Sequence, residues 1–469
     1  MSGLFTTLNS SSMALNAHSR AIETTGKNLA NVNNPNYARQ RVVYGDRGTV
    51  ETPEGAQSLG LEVLSISQIR DVLLDRQLGR EIALSGSFEA QQEALQRALA
   101  GLGQSIDGSG NISATGSTTG GLGAAIDDFF NAFQNLASRP TDAGARQTLL
   151  QKATIFTDAM READTRLAQV QNDIDSGVGV DVSNANRLID TIADLNAQIS
   201  RFELTKPGSA VDLRDQRQAR LEELSKIIPV QVRDLANGGV QLVAKDAGNA
   251  DVMLLDGVTV NGSLAFNGTG ITGGSSATTL ALGSGSIQGA LTVRDGAVQD
   301  LRDYLDAFAA QMVTSVNGAY NPTATAGADF FDPAGTTAGT IVVRSGLTAA
   351  TLAAGTGAAG DNSLAVAVAA LATKNFSVGA GDQFDGTFSQ FYSRTVSDLG
   401  QALATATSRA TDQDKIQELV RNQRDTVSGV SMDEEMADLV KFQRAFQASS
   451  RVFSVVDELL DTVVNRLGN

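Results

Sequence analysis

The chain of 469 residues has no cysteine, no tryptophan and a single histidine, and only 5% of it is aromatic. Without cysteine there can be no disulfide, no thiolate nucleophile and no Cys-based zinc, iron–sulfur or haem site, so stability must come from packing. With one histidine as well, a catalytic triad or a transition-metal cluster is not expected, and the expectation is no cofactor and no metal. Positive charge is also scarce: 36 Lys and Arg stand against 52 Asp and Glu, a net charge of −16. Such a polyanion is repelled by phosphate backbones, which argues against a nucleic-acid partner. No stretch of 18 consecutive apolar residues occurs, so membrane insertion is not expected. The first 30 residues lack the basic n-region and apolar core of a cleaved signal peptide. That points to the cytoplasm, unless the chain leaves through a machine that reads no such signal.

What is present is enough apolar material, 42% of residues, to build cores. At roughly 100–200 residues per domain, the length suits two to four domains. The two ends are the most patterned regions. Leu8, Leu15, Ile22 and Leu29 fall seven apart, with Ala14, Ala17, Ala21 and Ala30 between them. Toward the other end Leu439, Phe442, Phe446, Ser449, Phe453, Val456, Leu460, Val463 and Leu467 alternate spacings of three and four, a heptad seam broken once by serine. Val452, Val455 and Leu459 widen this seam beyond what a two-stranded coil buries, which implies two or more neighbours. An isolated helix of this kind is marginal in water, so both stripes need partners.

The C-terminal helix is expected to start after Ser428-Gly429, with Ser431 and Glu434 as a capping box and Asp433, Glu434 and Glu435 complementing the helix dipole. The N-terminal helix is expected to stop at Asn31, Asn33, Asn34 and Pro35, before an extended run at Arg41–Tyr44. Helical periodicity returns at 72–100, 124–137, 143–175, 184–203, 213–227, 294–318, 362–374 and 384–427, the third with Thr141 or Asp142 as N-cap. Strands are expected at 230–232 and 240–243 around the hairpin turn Asn237-Gly238-Gly239, then at 252–255 and 258–260, with 341–343 as a further member. Segments 101–123 and 261–289, each with eight glycines, read as loops or irregular strands.

Chemistry-bearing patterns are weak. Gly283-Ser-Gly285-Ser-Ile-Gln-Gly289 has the wrong spacing for a dinucleotide loop, and Asp107–Asn111 lacks the carboxylates of a calcium loop. Asp212, Asp215, Glu222 and Glu223 alternate with Arg214, Arg217 and Arg220, which suggests exposed ion pairs along a helix rather than acid–base catalysis. His18 reads as a solvated or interface residue, and Tyr37, Phe442 and Phe446 as core or interface. No residue is expected to be catalytic.

Two stretches bring in a family. Asn28-Leu-Ala-Asn31-Val-Asn33-Asn-Pro35-Asn-Tyr37-Ala-Arg39-Gln40 resembles the N-terminal motif of bacterial flagellar rod, hook and hook-associated proteins, and Ser428–Glu435 with Val440–Ala448 resembles their C-terminal motif. Within the chain, Phe133–Pro140 with Ala145–Leu149, Asp212–Arg217 continuing to Val230, Gly289–Asp295 and 359–363 are similar to the hook-associated type. The resemblance implies a mainly α fold with a smaller β part: paired terminal helices, a long helical body and a small β subdomain. Longer members insert an outer β-rich domain after the stretch matching Tyr320–Phe331, and here it is reduced or absent. The expected division is 1–45 with 425–469 as the terminal assembly domain, 46–228 with 290–424 as the helical body, and 229–289 with 335–350 as the β subdomain.

The function implied is structural: a subunit of the flagellar hook–filament junction, extracellular, exported unfolded by the type III apparatus without a cleaved signal. Absence of cysteine suits such threading. Implied partners are copies of itself in a helical array, the hook protein below, a second junction protein above, and a cytoplasmic export chaperone on the C-terminal helix. The interface would be the two terminal stripes, with Asn28, Asn31, Asn33, Pro35 and Tyr37 turning the chain outward. A rod or hook subunit is the alternative within the family. A secreted hydrolase would need paired carboxylates 5–10 Å apart in a pocket, and an adhesin a long outer domain.

Overall fold

The computed structural model describes residues 2–52, 55–58, 60–102, 121–357 and 360–462. The expected turn at 107–111 and the seam residues Val463 and Leu467 lie outside them. In chain order α1 (Ser2–Ala30) leads into four strands, β1 (Gln40–Asp46), β2 (Thr49–Thr52), β3 (Gly55–Ser58) and β4 (Leu61–Gln68). Four helices follow: α2 (Val72–Gly101), α3 (Leu122–Ser138), α4 (Ala143–Phe202) and α5 (Val211–Ile227). A second run of strands comprises β5 (Gln231–Asp234), β6 (Val240–Lys245), β7 (Asp251–Asp256), β8 (Thr259–Val260), β9 (Ala265–Phe266), β10 (Ile271–Gly273) and β11 (Thr278–Thr279). The chain closes with α6 (Ser286–Val293), α7 (Gln299–Tyr320), α8 (Ser363–Ala370), α9 (Phe388–Ser428) and α10 (Met432–Asp461). A π-helical turn at Arg294–Val298 joins α6 to α7.

The chain divides into two units, residues 1–85, 181–285 and 413–469, and residues 86–180 and 286–412. These boundaries differ from the three-part division read from the sequence. In particular 229–285 belongs to the first unit and 335–350 to the second. Ile341–Val343 does not join the sheet; Val343 makes an isolated bridge to Phe331. Three consecutive β-branched residues satisfy strand propensity, but propensity does not choose the partner.

In the first unit β5, β6, β7 and β8 form an antiparallel sheet in that order, around the expected Asn237–Gly239 turn. β1 pairs with β4 and β2 with β3, a ribbon of which the sequence signalled only the first strand. The sheet packs through Val240, Leu242, Leu254 and Leu255, all buried, as are Ile192 and Ile199 of α4. Asn196 of α4 is fully buried, its amide donating to Val240 O (3.0 Å) and Gly257 O (2.6 Å). The second unit is held by aromatic rings. Phe129 of α3 stacks on Phe156 of α4 at 5.5 Å and meets Phe133 edge-on at 5.1 Å, while Phe384 stacks on Phe391 at 4.2 Å.

Residues 176–183 were expected to interrupt the fourth helix, yet α4 runs through Gly177 and Gly179. The apolar seam explains this: Ile174, Val178, Val182 and Ala185 continue the spacing of three and four, and all are buried. Burial along that line outweighs roughly 1 kcal/mol of helix cost per glycine. Asp142, not Thr141, caps α4, accepting from Gly144 N at 2.7 Å. The run 283–289 has a packing reason. Gly285 has φ +91° and a Cβ there would sit 2.3 Å from Ile227 O, and a Cβ on Gly289 would lie 2.1 Å from Ser87 O. The glycines serve chain contact, not a dinucleotide.

Candidate assembly interface

α1 ends where expected, its last turn closed by Asn31 N to Lys27 O, and α10 begins after Ser431. The two helices pack extensively, and Asn28 near the end of α1 bonds Glu435 in the first turn of α10. Two helices that overlap along their length and meet end to start in this way run antiparallel.

Asn28 is the centre of the junction. Its Nδ2 donates to Gln40 O and Glu435 Oε2, both at 2.9 Å. Its Oδ1 accepts from Tyr37 Oη at 2.9 Å and Gln40 N at 3.0 Å. All four hydrogen-bonding positions of the carboxamide are thereby used, which no other side chain of this size could do. Glu435 is 2% exposed, and its Oε1 accepts from Arg39 Nε at 2.7 Å. Arg39 Nη1 also reaches Glu434 at 2.7 Å. Burial works against the Arg39 cation, but the Glu435 and Glu434 carboxylates hold its pKa above the usual value. Burial, reinforced by Asp212, Asp215 and Glu435, pushes the Tyr37 hydroxyl up, so it stays a donor.

The turn that follows is pinned from below. Pro35 O accepts from Arg424 Nη2 of α9, whose Nη1 holds Glu222 of α5, both at 2.8 Å. Gln40 Nε2 donates to Asp212 of α5 at 2.8 Å, and Arg70 Nη2 donates to Asp215 at 2.6 Å. The α5 charges are therefore mostly not the exposed ion pairs expected from the sequence. Asp215 and Arg217 are buried, Arg214 pairs with the buried Glu203, and among these only Arg220–Glu223 is an exposed pair along one helix. A periodic charge pattern looks the same in sequence whether solvent or another element faces it. Burial raises the pKa of Asp215 to about 6 despite the Arg70 guanidinium beside it.

One further expectation needs correction. Ser431 is the N-cap of α10, but its side chain makes no capping bond, and the Glu434 carboxylate turns to Arg39 instead of back to the cap. On α1 the buried line is Ser11, Ala17, Ala21, Thr24, Thr25 and Asn28, whereas Leu8, Leu15, Ile22 and Leu29 are half-buried. Small side chains let a neighbouring backbone approach, so they take the contact and the larger residues flank it. Asn31 donates from its side chain to Lys27 O, and Asn33 is exposed. His18 is half-buried, and burial lowers its pKa.

On α10 the seam divides. Val456 and Leu460 are buried; Leu439, Phe442 and Phe453 are half-buried; Phe446 is exposed. Two groups stay open to solvent on either side of this seam: Met432, Met436 and Val440, and Val452, Val455 and Leu459, each spaced three or four apart and each residue between 43% and 56% exposed. Sequence reasoning caught the last three of these but missed the first three. It also missed Glu435 and Arg39, though Glu435 precedes Leu439 and Phe442 at seam spacing, which could have marked it. Among the described residues no cluster of His, Asp and Glu could hold a metal, and no helix is long and apolar enough to cross a membrane.

Comparison with known proteins gives the same direction from independent parts of the chain. The profile of the flagellar hook-associated protein FlgK helical domain matches residues 111–331, and that of the flagellar basal body rod FlgEFG protein C-terminal matches 422–467. Flagellar hook-associated protein 1 of Bacillus subtilis is 25% identical over 525 aligned positions, covering 100% of this chain and 99% of the relative. The Escherichia coli protein of the same name is 23% identical over 564 positions, covering 98% and 99%. These alignments are longer than the chain, so the relatives carry residues that it lacks. The flagellar hook junction protein FlgK of Burkholderia pseudomallei superposes on 55% of this chain and 46% of its own, at 22% identity and a TM-score of 0.44. With one profile on the body, another on the C-terminal helix and relatives matched from end to end, the chain is similar to flagellar hook-associated protein 1 along its whole length.

Proposed function

We infer that the chain is a structural subunit of the bacterial flagellum, part of the hook–filament junction, and that it assembles through its paired terminal helices. The observation that carries this is the open stripe on α10. Val452, Val455 and Leu459 remain exposed as one stripe on a helix that is already latched to α1 by Asn28, Arg39 and Glu435. Burial of such a line against a neighbour is worth roughly 25 cal/mol per Å2. A heterologous contact of this kind, repeated along an axis, builds a helical array. Leu8, Leu15, Ile22 and Leu29, half open on α1, supply the flanking surface.

The partners in this reading are further copies of the chain, the hook protein below and a second junction protein above. Export proceeds through the flagellar type III apparatus, with a cytoplasmic chaperone covering the α10 stripe until release. The protein is extracellular once assembled, and it has no enzymatic role.

The test is complementation of a strain lacking its own junction protein with Val452→Ser/Val455→Ser/Leu459→Ser. The variant should be exported and keep its helix content by circular dichroism, while filaments fail to attach to hooks in electron micrographs. Normal filament numbers with this variant would sink the reading.

A further inference from the structure

A cavity of about 1080 Å3 lies within the first unit, between α2, α5 and the edge of the four-stranded sheet. Its charge is opposite to that of the molecule. Seven cationic side chains line it against three carboxylates, in a chain whose net charge is −16. Several cations are neutralised locally: Arg70 by Asp75 and Asp215, Arg76 by Asp234, and Arg214 by Glu203. The positive charge that remains is carried by Arg80, Arg217 and the Arg233–Lys245 pair. Arg80 is exposed and has no carboxylate within ion-pairing distance among the described residues. Arg217 is 6% exposed and, among the described residues, spends only Nη1, on Asn196 Oδ1 and Gly238 O. Arg233 and Lys245 share the single carboxylate of Asp251. Burial, with Arg214 beside it, lowers the Arg217 pKa to about 10, which an incoming anion would reverse.

The wall supplies a second kind of recognition. The cavity is lined by residues 229–234, the whole of β5, and β5 is an edge strand with β6 on one side and no described strand on the other. A free edge accepts an extended chain through its main-chain groups, while side pockets select the residues that alternate along it. Leu84, Leu221 and Val230 give those pockets an apolar floor.

We propose that this cleft receives an acidic, extended segment of a second copy of the chain, which adds to the edge of β5 and places its carboxylates on Arg80, Arg217 and the Arg233–Lys245 pair. The inference rests on the reading of the chain as a repeating axial subunit. A cleft carrying surplus positive charge leaves the rest of each copy still more acidic than −16. Each copy is therefore complementary in net charge to the cleft of another, and a repeating head-to-tail array is the arrangement that would bring them together. The contact is heterologous and independent of the α10 stripe.

The test places a photo-crosslinking residue at the cleft mouth (Val72→p-benzoylphenylalanine, at a side chain 48% exposed) in full-length protein assembled into flagella. Self-crosslinks to peptides rich in Asp and Glu are expected. Arg80→Glu should lower their yield at least fivefold at low salt, and Arg80→Lys should restore it. Crosslinks solely to hook or filament proteins, no crosslink from protein present at the junction, or a yield indifferent to Arg80→Glu would each overturn the inference alone. Absence of the wild-type chain from the junction, by immunogold labelling, would overturn the functional reading and this inference with it.

Discussion

The aromatic centre of the second unit and the paired terminal helices of the first solve the same problem in opposite ways. In the former, Phe129, Phe133, Phe156, Phe308, Phe330, Phe331 and Phe388 are all fully buried and ring meets ring, so the apolar surface has been used up. In the latter, α1 offers Ala17, Ala21 and Thr24 to its contact, polar latches fix the register, and large apolar residues of α10 face outward. A closed core maximises stability of one chain. A pair held by small residues and hydrogen bonds is rigid but leaves its strongest adhesive surface for another molecule.

This contrast can be broken or sharpened by substitution. The largest effect belongs to Phe129→Ala, which should cost about 3–5 kcal/mol through transfer and cavity terms. Urea denaturation would show it, and a loss under 1 kcal/mol would mean that the ring cluster is not the closed core described. Glu435→Ala should cost about 1–3 kcal/mol by stranding Asn28 Nδ2 and Arg39. Its effect is local: hydrogen exchange should accelerate over 432–450 and stay unchanged over 129–156, and uniform acceleration would contradict a local latch. The α10 triple serine variant should change stability by no more than about 0.5 kcal/mol per site, as surface substitutions do. A marked destabilisation would mean that the stripe already belongs to a core.

The smallest effect is a slope. Asp215 titrates near 6 in the fold against 3.8 as its ordinary value. The folded state thus holds the proton more tightly than the unfolded one. This group's contribution is full below about pH 4 and is lost as pH rises through about 6. Asp215→Asn should therefore flatten the pH dependence of the urea midpoint between pH 4 and 6. An unchanged slope would show that the carboxyl is less confined than its place under the Tyr37 turn indicates.

Much of this was legible before any coordinates. The stops at Asn31–Pro35 and Ser428-Gly429, the hairpin at Asn237–Gly239 and most helices follow from local rules, because capping, proline and glycine act within a few residues. The open stripe of Val452, Val455 and Leu459 was visible, and the second exposed group, Met432, Met436 and Val440, was not. Three things were hidden. The continuity of α4 through Gly177 and Gly179 depended on burial of Val178 and Val182, which a window dominated by glycine obscures. The fate of Ile341–Val343 depended on which strand lay nearby. The roles of Glu435, Asp215 and Arg424 depended on partners 407, 145 and 202 residues away.

The amino-acid order by itself settled that this chain builds long helices with sticky ends, has no thiol chemistry, and carries the end motifs of an axial flagellar subunit. Periodicity, breakers and composition are properties of neighbours in the chain, so they need no third dimension. Only the tertiary structure decided which face of each terminal helix is consumed and which charges are buried latches. It also decided where cationic side chains gather into a cleft in an otherwise acidic molecule. Those outcomes turn on what lies across from a residue, and facing is set by the packing of segments far apart in sequence.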